Sequence, residues 1–274
     1  MLSRNRSQSG FTLIEAVMVI VITGIIGVLA AGFVRPLEGY FDTLNRADLS
    51  DTADTALRRM ARDIRLALPN SVRINISGNS RYLDFLATTG GGRYRAALDA
   101  GAGDILDFIA ADTSFDVLGP PVTIAAGDQI VVSNLGDPGA DAYEGNTLST
   151  HVRRAASVTG TVANVSITST NPLPHESPAQ RFQIVHEQVR YLCDLTTGRL
   201  IRYAGFPIAP PAAQVPVGGS NALLASGVTA CSFTYAPGSA QRSGLVTISL
   251  TLSNNSDPLD NVTLLHQVHV QNVP

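Results

Sequence analysis

Residues 9–34 read SGFTLIEAVMVIVITGIIGVLAAGFV, an apolar run too long and too free of charge for an ordinary soluble helix. As a helix, residues 11–34 would extend about 36 Å at about 1.5 Å per residue, enough to cross a hydrocarbon core of about 30 Å with some tilt. The only charged side chain within that stretch is Glu15, in its first turn. A carboxylate in hydrocarbon is costly unless it finds a partner or stays neutral, so Glu15 calls for an explanation. A secretory signal would use Arg4 and Arg6 as its basic region and Ala30, Ala31 and Gly32 as its cleavage site, yet such apolar regions run about 7–15 residues and lack acids. A plain anchor leaves Glu15 and the Gly10-Phe11 junction without a purpose.

Beyond Val34, the Arg35-Pro36 pair predicts a kink, because proline lacks an amide donor and clashes with the preceding turn. Apolar residues then recur at intervals of three and four, at Leu37, Tyr40, Phe41 and Leu44 and again at Ala53, Ala56, Leu57, Met60, Ile64 and Leu68, which marks an amphipathic helix. Its other face carries Arg58, Arg59, Arg62, Asp63 and Arg65, read as a solvated or partner-facing side. Residues 48–54, rich in Asp, Ser and Thr, are expected to loosen the helix, and Pro69-Asn70 to end it.

From Ser71 the pattern changes to short alternating runs separated by Gly, Pro, Asn and Asp, which predicts strands. They are expected at 72–76, 82–87, 94–98, 105–109, 129–133, 162–168, 182–192, 200–203, 228–235, 245–252 and 262–270. Gly90-Gly91-Gly92 reads as a turn, since no helix start or GK[ST] follows it as in a phosphate loop. Two hairpins stand out, 189–193 with 199–203 and 228–235 with 245–252. The fold class is therefore α+β: one long helix followed by an antiparallel β-rich head built as two sheets or one large bent sheet.

The chain carries a net charge of −3, and all 19 basic residues are arginine. An acidic chain is a poor ligand for a phosphate backbone, so no nucleic-acid partner is expected. The absence of lysine excludes P-loop and Schiff-base chemistry. Of the five histidines, His266 and His269 lie an odd number of residues apart and point to opposite faces of one strand, so they cannot share a metal. His186-Glu187 lacks the second histidine of a zinc-peptidase helix, and His151 and His175 stand alone. No serine sits in a G-x-S-x-G setting, so neither an enzyme nor a cofactor is expected. Asn254, Asn255, Asp257 and Asp260 could offer oxygen ligands to calcium, but without EF-hand spacing a turn explains them as well.

Gly10, Phe11, Thr12, Leu13, Ile14 and Glu15 resemble the class III signal of type IV prepilins and type II secretion pseudopilins. That resemblance implies a leader over 1–10, removed by a prepilin peptidase that cuts after Gly10 and methylates the new terminus on Phe11. It also implies a transmembrane and filament-core helix over 11–35, an amphipathic half over 36–68 and a globular head over 69–274. Glu15 then becomes an assembly residue, its carboxylate neutralised by the terminal amine of a neighbouring subunit. Outside the cytoplasm, where such heads reside, Cys193 and Cys231 are expected to form a disulfide, two unpaired buried thiols being the alternative. A bridge there would close the proline-rich stretch 205–221, which is either a partner-contact region or a simple surface loop.

The segments RRMARDIRLALPNSVRI (58–74) and VTLLHQVHVQNVP (262–274) resemble the MshO-type minor pilins of the mannose-sensitive haemagglutinin (MSHA) pilus. The layout is also similar to the J-type pseudopilin of type II secretion. The implied partners are the prepilin peptidase, other major and minor pilins, the pilus assembly platform and the inner membrane. The implied location is the bacterial inner membrane with the head in the periplasm, and afterwards the filament or its tip. Gly32 and Pro36 depart from the usual proline placement of major pilins, so helix melting in a filament does not carry over. A different class, an anchored binding protein with an unrelated head, remains open at this point.

Overall fold

Thr12 and Glu15 begin a single helix, α1 (Leu13–Arg65), of 53 residues. The computed structural model describes residues 11–238, 243–254 and 257–271, and side chains of all of these except 31–42 and 257–260. Gly10 and the leader lie outside the described residues. So do the side chains of Gly32, Arg35, Pro36, Leu37, Tyr40 and Phe41, and of Asn255, Asp257 and Asp260. The backbone stays helical through Pro36, and also through residues 48–54, where loosening was expected. An Asp54–Arg58 ion pair at 2.6 Å, one turn apart, supports the second stretch from its solvent face.

By its internal contacts the chain divides into two units, residues 1–48 and residues 49–274. In the first, Leu13–Ala30 has a mean hydropathy of 2.6 and none of it is buried, so this helix is long and apolar enough to cross a membrane. The exposed side chains of Leu13, Ile14, Val17 and Ile20 belong to that stretch and make no use of water.

In the second unit the helix buries Ala53, Ala56, Leu57, Met60, Ala61 and Ile64. The spacing of three and four places them on one stripe, as the sequence predicts, with Arg58, Arg59, Arg62 and Arg65 exposed. Asp63 departs from that polar face: its Oδ2 accepts from Tyr191 Oη and Arg202 Nε, each at 2.7 Å. The helix ends at Arg65 rather than Leu68, as Leu66 and Ala67 donate back to Asp63 and Ile64 in a tightened last turn. Leu68 N instead joins the sheet through Leu86 O at 2.7 Å.

Fourteen strands follow: β1 (Arg73–Ser77), β2 (Ser80–Tyr94), β3 (Ser114–Leu118), β4 (Val122–Ile124), β5 (Gln129–Val131), β6 (Arg153–Ala156), β7 (Gly160–Val162), β8 (Asn164–Thr168), β9 (Arg181–Asp194), β10 (Arg199–Phe206), β11 (Ser220–Ser226), β12 (Val228–Ala236), β13 (Gly244–Asn254) and β14 (Asp257–Val270). Every pairing is antiparallel. Nine strands run in the order β1-β2-β3-β8-β6-β5-β9-β10-β11, three in the order β12-β13-β14, and β4 pairs with β7.

Because β2 also pairs with β9, six strands close into a ring, β2-β3-β8-β6-β5-β9. A closed ring leaves no edge inside it and holds its own core. That core contains Tyr94, Phe115, Phe182, Ile130, Ile184 and Val165, with Phe115 meeting Phe182 edge-on at 5.2 Å. The helix stripe belongs to a different core, shared with β2, β9, β10 and the three-stranded sheet through Leu83, Tyr191, Phe233, Ile248 and Val268.

Three sequence expectations are corrected here. Gly90-Gly91-Gly92 is no turn but the middle of β2, paired with Ile184, Gln183 and Phe182 of β9. A Cβ on Gly91 would lie 2.5 Å from the Phe182 carbonyl oxygen, so the glycines serve close strand approach at a register shift. Residues 105–109 form no strand; Asp107 folds the chain there by accepting from the amides of Ile109 and Ala110. Tyr94 closes β2, and the residues after it, 95–98, are not a strand. Strands β3, β4, β6, β7 and β11 were not expected: the first four have five residues or fewer, and β6 begins with two buried arginines.

Candidate functional site

The N-terminal turn is a capping box. Thr12 precedes the helix, its hydroxyl accepts from Glu15 N at 3.3 Å, and Glu15 Oε2 accepts in return from Thr12 N at 3.2 Å and Thr12 Oγ1 at 3.0 Å. The sequence Thr-Leu-Ile-Glu thereby satisfies amides that a helix start otherwise leaves open. Both bonds to the carboxylate fall on one oxygen; among the described residues Oε1 has no partner. Phe11, just outside the cap, is 79% exposed. The functional proposal for Glu15 therefore stands beside a local structural role that the S/T-x-x-E spacing reveals.

Cys193 and Cys231 are disulfide-bonded across a separation of 38 residues. Cys193 sits on β9, opposite Leu200 of β10, and Cys231 sits on β12, opposite Leu250 of β13. The bond therefore links the two hairpins, and with them the nine-stranded sheet to the three-stranded one. Gly198, at φ +64°, closes the tight first hairpin.

The stretch 205–221 connects β10 to β11, which pair with each other. Its ends nearly touch: a Cβ on Gly219 would fall 2.3 Å from the Ala204 carbonyl oxygen, and Gly219 has φ +73°. Beneath it lies a buried ion pair, Arg190 Nε to Asp84 Oδ1 at 2.7 Å. Gln188 donates to the same oxygen, and Arg190 Nη1 donates to the Gln214 carbonyl, holding the connection down on the sheet. Burial pushes the Asp84 carboxyl up in spite of Arg190. A hollow of ≈ 210 Å³ lies here, lined by Arg190, Gln214, Pro210 and Pro216 among others.

A larger cleft of ≈ 420 Å³ opens where residues 205–208 meet β5, β6 and β9. Gln129, Arg153, His186 and Glu187 form its polar wall and Phe206, Pro207 and Ile208 its apolar one. His186 Nδ1 meets Asp128 Oδ1 at 2.7 Å, and Asp128 Oδ2 accepts from Ala125 N. His186-Glu187, read from sequence as strand-borne and no zinc motif, lies on β9 and acquires this partner only through folding. Among the described residues no group of three or more His, Cys, Asp or Glu is placed to hold a metal.

The remaining histidines are dispersed. His266 points toward the half-buried side of β14 and His269 toward solvent, on opposite faces as their spacing requires, and His175 is exposed. His151 Nδ1 accepts from the amides of Thr147 and Leu148, both at 3.1 Å. Burial, then the Arg154 charge, lowers its pKa.

A family model described as the prokaryotic N-terminal methylation motif matches residues 5–31. Families marked by this motif are structural rather than enzymatic. Together with the apolar helix, the motif supports a chain of the pilin or pseudopilin kind, anchored in a membrane and processed by a prepilin peptidase. Searches of curated proteins and of solved structures returned no match.

Proposed function

We propose that this chain is a minor pilin that helps to initiate or cap a type IV pilus of the MSHA kind. The observation that carries the proposal is the methylation motif over residues 5–31 with its carboxylate at Glu15. In this reading the peptidase removes residues 1–10 after Gly10 and methylates Phe11. The helix waits in the inner membrane with the head in the periplasm, and assembly transfers it from lipid to the filament core. Glu15 Oε2 is engaged by its own cap, so Oε1 is the oxygen left for the terminal amine of a neighbouring subunit. Each group would otherwise be unpaired in hydrocarbon, which gives assembly an electrostatic reason to occur in one register.

A head with fourteen strands among its described residues is bulky to repeat along a fibre, which favours a low-copy place at the tip. Mass spectrometry of the protein isolated from membranes tests the processing: the expected mature chain begins at N-methyl Phe11. An intact Met1, or a terminus near Gly32, would overturn it. Deleting the gene tests the role, with pilus number expected to fall and type II secretion to continue. The reverse pattern would favour a minor pseudopilin of the secretion system.

A further inference from the structure

We infer that the head binds a small ligand bearing a single carboxylate in the cleft beside residues 205–208, with Arg153 as its anchor. Arg153 is 6% exposed and lines that cleft. Its Nε donates to the Ala142 carbonyl at 2.8 Å and its Nη1 makes a long contact with Gln129 Oε1 at 3.4 Å, while Nη2 has no partner among the described residues. No carboxylate among those residues pairs with it, whereas Arg73, Arg95, Arg190 and Arg202 all have one. Arg154, equally buried, spends all three of its nitrogens on Ser169 and backbone carbonyls, as a structural brace does. The enclosed unpartnered side-chain atoms of the described head are Asp84 Oδ2 and Gln183 Oε1, so Nη2 of Arg153, in a residue that lines the cleft, is not fully sealed.

A guanidinium taken out of water without a counterion is costly, and the unpartnered Nη2 beside a loosely held Nη1 matches a carboxylate. Burial lowers the Arg153 pKa to about 10, which leaves it a cation at neutral pH. His186 stands on the same wall with 45% of its side chain exposed, and Asp128, 1% exposed, fixes its ring through Nδ1. An accepting carboxylate puts the proton on Nδ1 and leaves Nε2 as an acceptor for a ligand hydroxyl.

Charge selects the ligand. Glu187 lines the cleft and is only loosely neutralised by Arg202, at 3.4 Å, so a dianion such as phosphate meets more repulsion than a monoanion. Phe206, Pro207 and Ile208 offer the opposite wall to an uncharged body. The volume lies within the about 300–1,000 Å³ typical of small-molecule sites.

The full chain in micelles of a sugar-free detergent, observed by saturation-transfer NMR, provides the test with D-glucuronate as probe. The expected result is a signal from D-glucuronate and none from its neutral counterpart D-glucose, with equimolar inorganic phosphate failing to displace the acid. Arg153→Met and Ile208→Trp, the second filling the cleft while leaving the arginine in place, should each weaken binding by about tenfold or more. If Arg153→Met does not fold, Ile208→Trp decides. No glucuronate signal, equal signals from the two sugars, displacement by phosphate, or binding unchanged in the folded variants would overturn the proposal.

Discussion

Glu15 carries two explanations that a single substitution separates. Glutamine serves a capping box as well as glutamate does, but it carries no charge. Glu15→Gln should therefore keep the helix start and abolish filament incorporation, whereas Thr12→Val should weaken the cap and leave incorporation largely intact; counting labelled pili decides. Wild-type incorporation of Glu15→Gln would reduce the residue to a cap. In the head, Arg190→Met strips from Asp84, a fully buried carboxyl, its only ion pair among the described residues. The expected cost is about 3–5 kcal/mol by urea denaturation, since a buried acid then lacks compensation. His151 titrates differently. Its folded pKa lies below the ordinary 6.5, so its contribution is complete above that value and is lost as pH falls through it. Protection of the Thr147 and Leu148 amides against hydrogen exchange should drop on acidification below the ordinary 6.5 and be insensitive to pH in His151→Ala.

Among the elements, β2 is the one whose sequence misleads most. Three successive glycines look like a turn, yet the strand continues, and at Gly91 β9 approaches so closely that a side chain would collide with the Phe182 carbonyl. Gly91→Ala should thus destabilise the head by about 1–3 kcal/mol, as overpacking does, with the loss read in the denaturation midpoint and in weakened protection of β2 and β9 amides. Helix α1 shows the opposite case. Its buried stripe at Ala53, Ala56, Leu57, Met60 and Ile64 follows from periodicity alone, because any partner surface must meet the same face of the helix. Its last turn does not, since Leu68 leaves the helix to bond Leu86, a residue that only the fold brings near.

For the head as a whole, the disulfide is a second covalent tie between two sheets that the main chain already joins through Gly227, between β11 and β12. Replacing Cys193 and Cys231 together by alanine should lower stability by about 4 kcal/mol in the chain-entropy view. Reduction of the wild type should produce a similar shift in midpoint. The sequence by itself determined the membrane-length helix, the processing motif, the α+β class and the two long hairpins, because each rests on neighbours within a few residues. The tertiary structure alone decided the closed six-stranded ring, the tyrosine and arginine partners of Asp63, the carboxylate partner of His186, and the buried Arg153 that meets no carboxylate among the described residues. Those depend on contacts between residues such as 128 and 186, or 84 and 190, whose proximity is set by strand order and register and leaves no periodic trace along the chain.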